Sequence, residues 1–249
     1  MKGKKVVEEP EVDSLFNPSF EEYDVIVSNL GWKTAEWPDA TKIAFEKYMK
    51  EGGGFVVIHA ANNAWPDWEE FNKMIGIGGW ADRTTSKDGP QLYFDAEGQL
   101  QKQTEESACG SHGPEMELMI ENRAPSHPIM KDMPMHWLHT KDELYERLCG
   151  PAENVTVLAT VFSDEVENSP PWDPKVKASN RSEPVMLAVE YGRGRTFQST
   201  LGHADYSMEC IGFITSFTRG CEWAARGSVS IPIPTNFPTE KQVERKVFE

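Results

Sequence analysis

Gly52-Gly53-Gly54-Phe55-Val56-Val57-Ile58-His59-Ala60-Ala61-Asn62-Asn63 decides the fold. Phe55 to Ile58 is an unbroken apolar run, and a strand with one wet face would alternate instead. It therefore reads as a strand covered on both faces. The glycines before it end a helix over Asp39–Lys50, where Ile43, Ala44, Phe45, Tyr48 and Met49 recur at helical spacing. Pro38 sits at that helix's first turn, where a missing N–H costs nothing. Further upstream, Tyr23-Asp24-Val25-Ile26-Val27-Ser28-Asn29 is a second strand of the buried kind. Downstream of Asn63, Trp68, Phe71, Met74 and Ile75 share one face of another helix. Strand, helix, strand, helix predicts a parallel sheet with right-handed crossovers.

Beyond this unit, Gly76 to Gly113 is rich in Gly, Asp and Ser, and is too long for a simple connection; loops of that length usually carry function. Glu115–Ile120 alternates like a half-exposed strand. Val155–Phe162 and Val185–Tyr191 are further strands, and Gly192-Arg193-Gly194 turns the second into a hairpin with Arg195–Thr200. A last helix is expected over Met208–Ala225, with Ile211, Ile214, Phe217, Cys221 and Trp223 facing the core. From Ile231 the chain alternates with prolines and reads as an extended arm. There is no internal repeat, and one α/β domain accounts for the whole chain.

The 249 residues carry 25 Lys and Arg against 40 Asp and Glu, a net charge of −15. That field repels phosphate, which argues against nucleic acid and against an anionic membrane surface. With 39% hydrophobic and 26% charged residues the composition is that of a soluble globular protein. No apolar run approaches the ~20 residues that cross a bilayer. Met1–Pro10 lacks a secretory apolar stretch, but a signal removed earlier would leave no trace, so cytoplasm and periplasm both stay open. Cys109, Cys149, Cys210 and Cys221 form no CxxC pair, which excludes zinc ribbons and thioredoxin-like motifs. A chain this long needs no staples, and free thiols are expected.

Ligands in open α/β sheets bind beyond the carboxyl ends of parallel strands. His59 follows Phe55–Ile58, and His203 follows Thr196–Leu201 by way of Gly202. If those strands are close in the sheet, both imidazoles face one pocket; the plainer alternative is that each caps a strand end. His136-Trp137-Leu138-His139-Thr140-Lys141-Asp142-Glu143-Leu144-Tyr145 gathers groups that titrate near neutrality or bind divalent metals, although no HExxH spacing occurs. Asp142-Glu143 as a solvated pair at a helix N-terminus is the competing reading. His112, between Gly110 and Gly113, is either aimed by a constrained loop or set on a hinge. Trp80 and Arg83 offer a sugar-stacking face and an anion partner, as does Trp65, whereas Trp68 has core spacing.

Taken as an ordered series, these segments resemble the ThuA-like family, named for a trehalose-utilisation protein. The resemblance rests on Tyr23–Asn29, Gly52–Asn63, Gly110-Ser111-His112-Gly113-Pro114, His127-Pro128-Ile129 and His139–Tyr145. It continues through Tyr191-Gly192-Arg193-Gly194-Arg195, Leu201-Gly202-His203 and Glu222-Trp223-Ala224-Ala225, so that it spans Phe20 to Pro238. It implies a flavodoxin-like, class I glutamine amidotransferase-like three-layer sandwich with a mainly parallel central sheet. In those amidotransferases a Cys follows one strand and a His a later one; here His59 stands where the Cys would be, and His203 where the His would be. Imidazole cannot replace the thiolate nucleophile, so amidotransferase chemistry is not expected. The family usually has an apolar strand and helix ahead of the matching region that Met1–Phe20 does not display. A sheet edge left open there would be one that a partner chain covers, which leaves room for a homo-oligomer.

The resemblance implies a small-molecule carbohydrate as partner, in pathways whose intermediates carry a 3-keto group. Such a ketone acidifies the C2 proton and opens a route to expel the C1 aglycone. A His base and an oxyanion donor then suffice for isomerisation or elimination. The expected acid/base groups are His59, His203 and Glu143, with His112, His139, Asp142, Asn63, Trp80 and Arg83 around the substrate. A divalent metal, zinc or manganese, held by His59, His203 and a carboxylate, is a variant that spacing alone neither demands nor removes. The reading from a different class is a sugar-binding or scaffold domain that kept the pocket without the chemistry.

Overall fold

The computed structural model describes residues 12–246; the part of the N-terminal lead-in before residue 12 lies outside them. In chain order the strands are β1 (Val25–Ser28), β2 (Gly54–Ile58), β3 (Gln91–Phe94), β4 (Leu100–Gln103), β5 (Ser111–His112) and β6 (Met116–Asn122). They continue with β7 (His136–Asp142), β8 (Tyr145–Glu146), β9 (Val155–Phe162), β10 (Ser182–Tyr191) and β11 (Gly194–Ser199). The helices are α1 (Asp39–Lys50), α2 (Glu69–Ile75), α3 (Thr85–Asp88), α4 (Asp205–Met208) and α5 (Ile211–Arg226).

β2 is buried along its whole length because opposite faces of it meet different layers. Phe55 and Val57 join an aromatic cluster with Phe45 and Tyr48 of α1 and Phe71 of α2. Val56 and Ile58 join the opposite cluster, with Phe213 and Trp223 of α5. This is the period-2 geometry of a strand between two helical layers. α5 lies so close to the sheet that a side chain on Gly220 would run into the Phe197 ring of β11. Trp65 and Trp68 both pack into the α1–α2 cluster, Trp65 ring to ring with Trp37 at 4.7 Å, which removes Trp65 as a sugar platform.

The main sheet has nine strands, in the order β1-β2-β11-β10-β9-β6-β7, with β3 and β4 attached through β10. β1, β2 and β11 are parallel; every other pairing is antiparallel. The fold is therefore mixed α/β, which corrects the mainly parallel sheet expected from the sequence. Parallel neighbours need a crossover, and α1 supplies one between β1 and β2. The hairpin at Gly192-Arg193 reverses the chain from β10 into β11, and beyond β10 the sheet continues through β9, β6 and β7, with β6 rather than β7 paired to β9.

The stretch from Gly76 to Gly113 is not a bare loop, for it contains α3, β3, β4 and β5. Backbone bridges from Gly78 and Gln91 to Cys149 draw the two chain segments together. Cys109 and Cys149 then form a disulfide, with Cα atoms 5.7 Å apart, while Cys210 and Cys221 are free. The expectation of four free thiols fails here because tertiary pairing, not chain length, set the contact. The C-terminal arm is pinned by backbone bonds, Leu138 N–H to Thr239 at 2.9 Å and Ile211 N–H to Glu244 at 2.8 Å. None of the helices among the described residues is long and apolar enough to cross a membrane.

Candidate functional site

β2 and β11 are adjacent and in register at Ile58 and Ser199, so the residues that follow them emerge side by side. His59 takes a left-handed backbone, φ 48°, as β2 turns into the short 3₁₀ segment His59–Asn63. Beyond β11, Gly202 adopts φ 107°, a conformation that suits glycine, and turns the chain so that His203 returns toward His59. The two rings meet, with His59 Nε2 3.2 Å from His203 Nδ1. A third group comes from the end of β7: Glu143 Oε2 lies 3.2 Å from His203 Nδ1 and 3.7 Å from His59 Nε2.

Around this trio, Tyr145 OH donates to His59 Nε2 at 2.9 Å, and His112 Nδ1 lies 3.5 Å from Glu143 Oε1. β5 and β8 bring them there, because His112 and Tyr145 are directly paired across that small sheet. Trp80 packs edge-on to Tyr145 with centroids 4.5 Å apart. With Trp32 and Asn63 these groups line a cavity of about 400 Å³ that opens to solvent. The buried Asn63 Oδ1 has no hydrogen-bond partner among the described residues.

Electrostatics separate the members. Burial holds His59 below the ordinary imidazole range, although Thr200 O accepts from its Nδ1 at 2.7 Å and Asp142 opposes the shift. Burial thus favours the neutral ring, whose Nε2 lone pair accepts from Tyr145 O–H. Burial pushes the Glu143 carboxyl up, against the pull of His112 and His203. Burial, with Glu143 and Asp142 nearby, also raises the Tyr145 phenol, which keeps it an O–H donor.

His139 and Asp142 lie behind the pocket rather than in it. Both are fully buried, and His139 Nε2 is 2.9 Å from Asp142 Oδ2. Burial opposes ionisation of this pair. His139 and the N–H groups of Gly202 and His203 nevertheless keep the Asp142 carboxyl below the usual range, and Asp142 in turn raises His139. The solvated pair at a helix N-terminus is corrected accordingly: Asp142 ends a strand, and no water reaches it. Arg83 is also displaced from its expected role. It is 2% exposed, and its guanidinium donates to Gly79 O at 3.0 Å, Ala64 O at 2.9 Å and Asn72 Oδ1 at 2.9 Å, so that it fastens the loop beneath Trp80.

Tyr145, Trp32 and Glu115 join the site without having been expected there from the sequence. Tyr145 had a usable signal, since it stands two residues after Glu143 and shares its side of an extended chain. Glu115 Oε1 sits 3.3 Å from His203 Nε2 through a contact between distant segments, and no local pattern announces it. A larger cleft of about 700 Å³ borders Arg123 and Arg181, but both are already paired, with Glu121 and Glu183.

Fold and site together define an α/β protein with an imidazole–carboxylate pocket at the carboxyl ends of its parallel strands. The chain belongs to the ThuA family, described as trehalose utilisation, whose profile matches residues 3–224. A ThuA-like protein of Parabacteroides merdae ATCC 43184 is 36% identical, with TM-score 0.87, covering 96% of this chain and 84% of that one. A second, from Bacteroides uniformis ATCC 8492, shares the fold at 20% identity and TM-score 0.51, covering 84% of this chain and 74% of that one. No curated protein matches the sequence.

Proposed function

We propose that this chain is an enzyme of carbohydrate catabolism that acts on a 3-keto glycoside or disaccharide in the His59–His203 pocket. The observation that carries the reading is the convergence of His59, His203 and Glu143 within 3.7 Å at one wall of an open cavity flanked by aromatic rings. Trp80 and Trp32 supply apolar faces of the kind sugar rings stack on. The cavity falls in the range of about 300–1,000 Å³ usual for small-molecule sites.

In this reading Glu143 or His59 removes the C2 proton, acidified by the neighbouring ketone, and the electron pair moves onto O3 as an enolate. Tyr145 O–H stabilises that oxygen, the kind of placed donor worth about 10²–10³ in rate. Collapse of the enolate breaks the C1–O bond, and the departing oxygen takes a proton from His203. The result is an enone and a free alcohol. The test is product analysis by NMR on a panel of glycosides and their 3-keto forms, with wild type and with His59→Ala and His203→Ala. Turnover of keto forms alone, lost in both variants while each stays folded, is expected. Full activity in either variant refutes the assignment. A sugar that shifts protein resonances without reacting points to a binding domain instead.

A further inference from the structure

We propose that His59, His203 and Glu143 form a binding site for one divalent transition-metal ion per chain, with zinc as the ion the geometry favours. These residues are brought together by β2, β11 and β7, and each offers one ligand atom to the others. The edges of the triangle of His59 Nε2, His203 Nδ1 and Glu143 Oε2 are 3.2, 3.2 and 3.7 Å. A triangle of that size has a circumradius of about 2.0 Å, just under a His–zinc bond of ~2.1 Å, so one point lies at bonding distance from all three atoms. From that point the edges subtend about 100–125°, scattered around the tetrahedral angle. Three protein ligands leave a fourth tetrahedral position for water or substrate.

The outer contacts agree. Thr200 O, which can only accept, takes the Nδ1–H of His59 at 2.7 Å and leaves the lone pair on Nε2. Glu115 Oε1 lies 3.3 Å from His203 Nε2, and with the ring proton on that side the lone pair is left on Nδ1. A carbonyl or carboxylate behind each imidazole is the arrangement that orients metal-ligating histidines. It also sets two acceptors face to face, since His203 Nδ1 and Glu143 Oε2 are 3.2 Å apart with no donor between them in that tautomer. Tyr145 O–H satisfies His59 but not this pair. A cation between the two resolves the clash; a second proton on His203 is the rival solution.

The inference stands on these ligand positions alone and does not need the sugar reading, so its test uses no sugar. Chelator-stripped full-length protein is titrated calorimetrically with Zn²⁺ and Mn²⁺, with Mg²⁺ as control, and bound metal is counted by atomic emission. One zinc per chain is expected at micromolar affinity or tighter, with no response to Mg²⁺. Glu143→Gln and His203→Ala, each checked for fold by circular dichroism, are expected to weaken zinc at least about 100-fold, and Glu115→Gln about ten-fold. Co²⁺ in the stripped protein is expected to give a visible absorption band that Glu143→Gln abolishes. Absence of binding by the folded wild type overturns the inference, as does equal affinity in Glu143→Gln. Because no sugar enters the titration, its failure leaves the sugar reading standing, and failure of the sugar assay leaves zinc binding standing.

Discussion

Asp142 holds His203 by its backbone. One carboxylate oxygen accepts the His203 N–H at 3.1 Å, and the other accepts the Gly202 N–H at 2.7 Å and faces His139 Nε2 at 2.9 Å. The same group accepts the Glu143 N–H at 2.9 Å. A single buried carboxylate thus sets the position of two members of the trio without entering the pocket. Asp142→Ala is expected to destabilise the protein by about 3–5 kcal/mol, because it strands a buried imidazole and three N–H donors. Urea unfolding measures this, and a loss below about 1 kcal/mol contradicts the role.

Tyr145→Phe separates chemistry from packing. It removes the O–H that bonds His59 Nε2 at 2.9 Å and keeps the ring against Trp80. The expectation is a fall in kcat of about 100-fold with little change in KM or thermal midpoint, as for loss of one placed donor. An unchanged kcat on a keto-sugar removes Tyr145 from the mechanism.

The Cys109–Cys149 bridge spans a sequence separation of 40. Closing a loop of that length contributes about 2–4 kcal/mol through the unfolded state. Cys109→Ser with Cys149→Ser is expected to cost that much. Thiol titration of the unfolded, unreduced protein counts two groups if the bridge forms and four if it does not. Such bonds persist in oxidising compartments, so reduction before assay is the relevant control.

His127 reports on acid stability. Burial pulls its pKa down to about 4, and its Nδ1 accepts the Ile129 N–H at 3.2 Å while the ring packs on Trp223. The folded chain therefore binds this proton less readily than the unfolded one. Stability is fully present above the ordinary value near 6.5 and is lost as pH falls through about 4. His127→Asn keeps an acceptor without the titration, and its stability is expected to fall less steeply over that window. Parallel pH curves for the two proteins refute the assignment.

The first βαβ unit was readable because β2 and α1 each carry the period their layers demand. The hairpin announced itself through Gly192 and Gly194. β7 was hidden, since Trp137 and His139 alternate with half-exposed and polar residues in a way that looks like a chemical cluster rather than a strand. The pairing of His59 with His203 could be anticipated from their equivalent positions after strands, because adjacent parallel strands end together. Arg83 could not be placed, for a guanidinium that bonds two backbone carbonyls and the Asn72 side chain looks in sequence like any surface cation. The disulfide and the antiparallel pairings of β10, β9, β6 and β7 depend on long-range register, which leaves no local mark.

The left-handed backbone at His59 has one more consequence. An L-residue in that region costs about 1–2 kcal/mol, and the residue that would relax it, glycine, has no imidazole to offer. Glycine at residue 59 would release the strain and delete the ring in one step, so a substitution that gains stability there is expected to give up the imidazole.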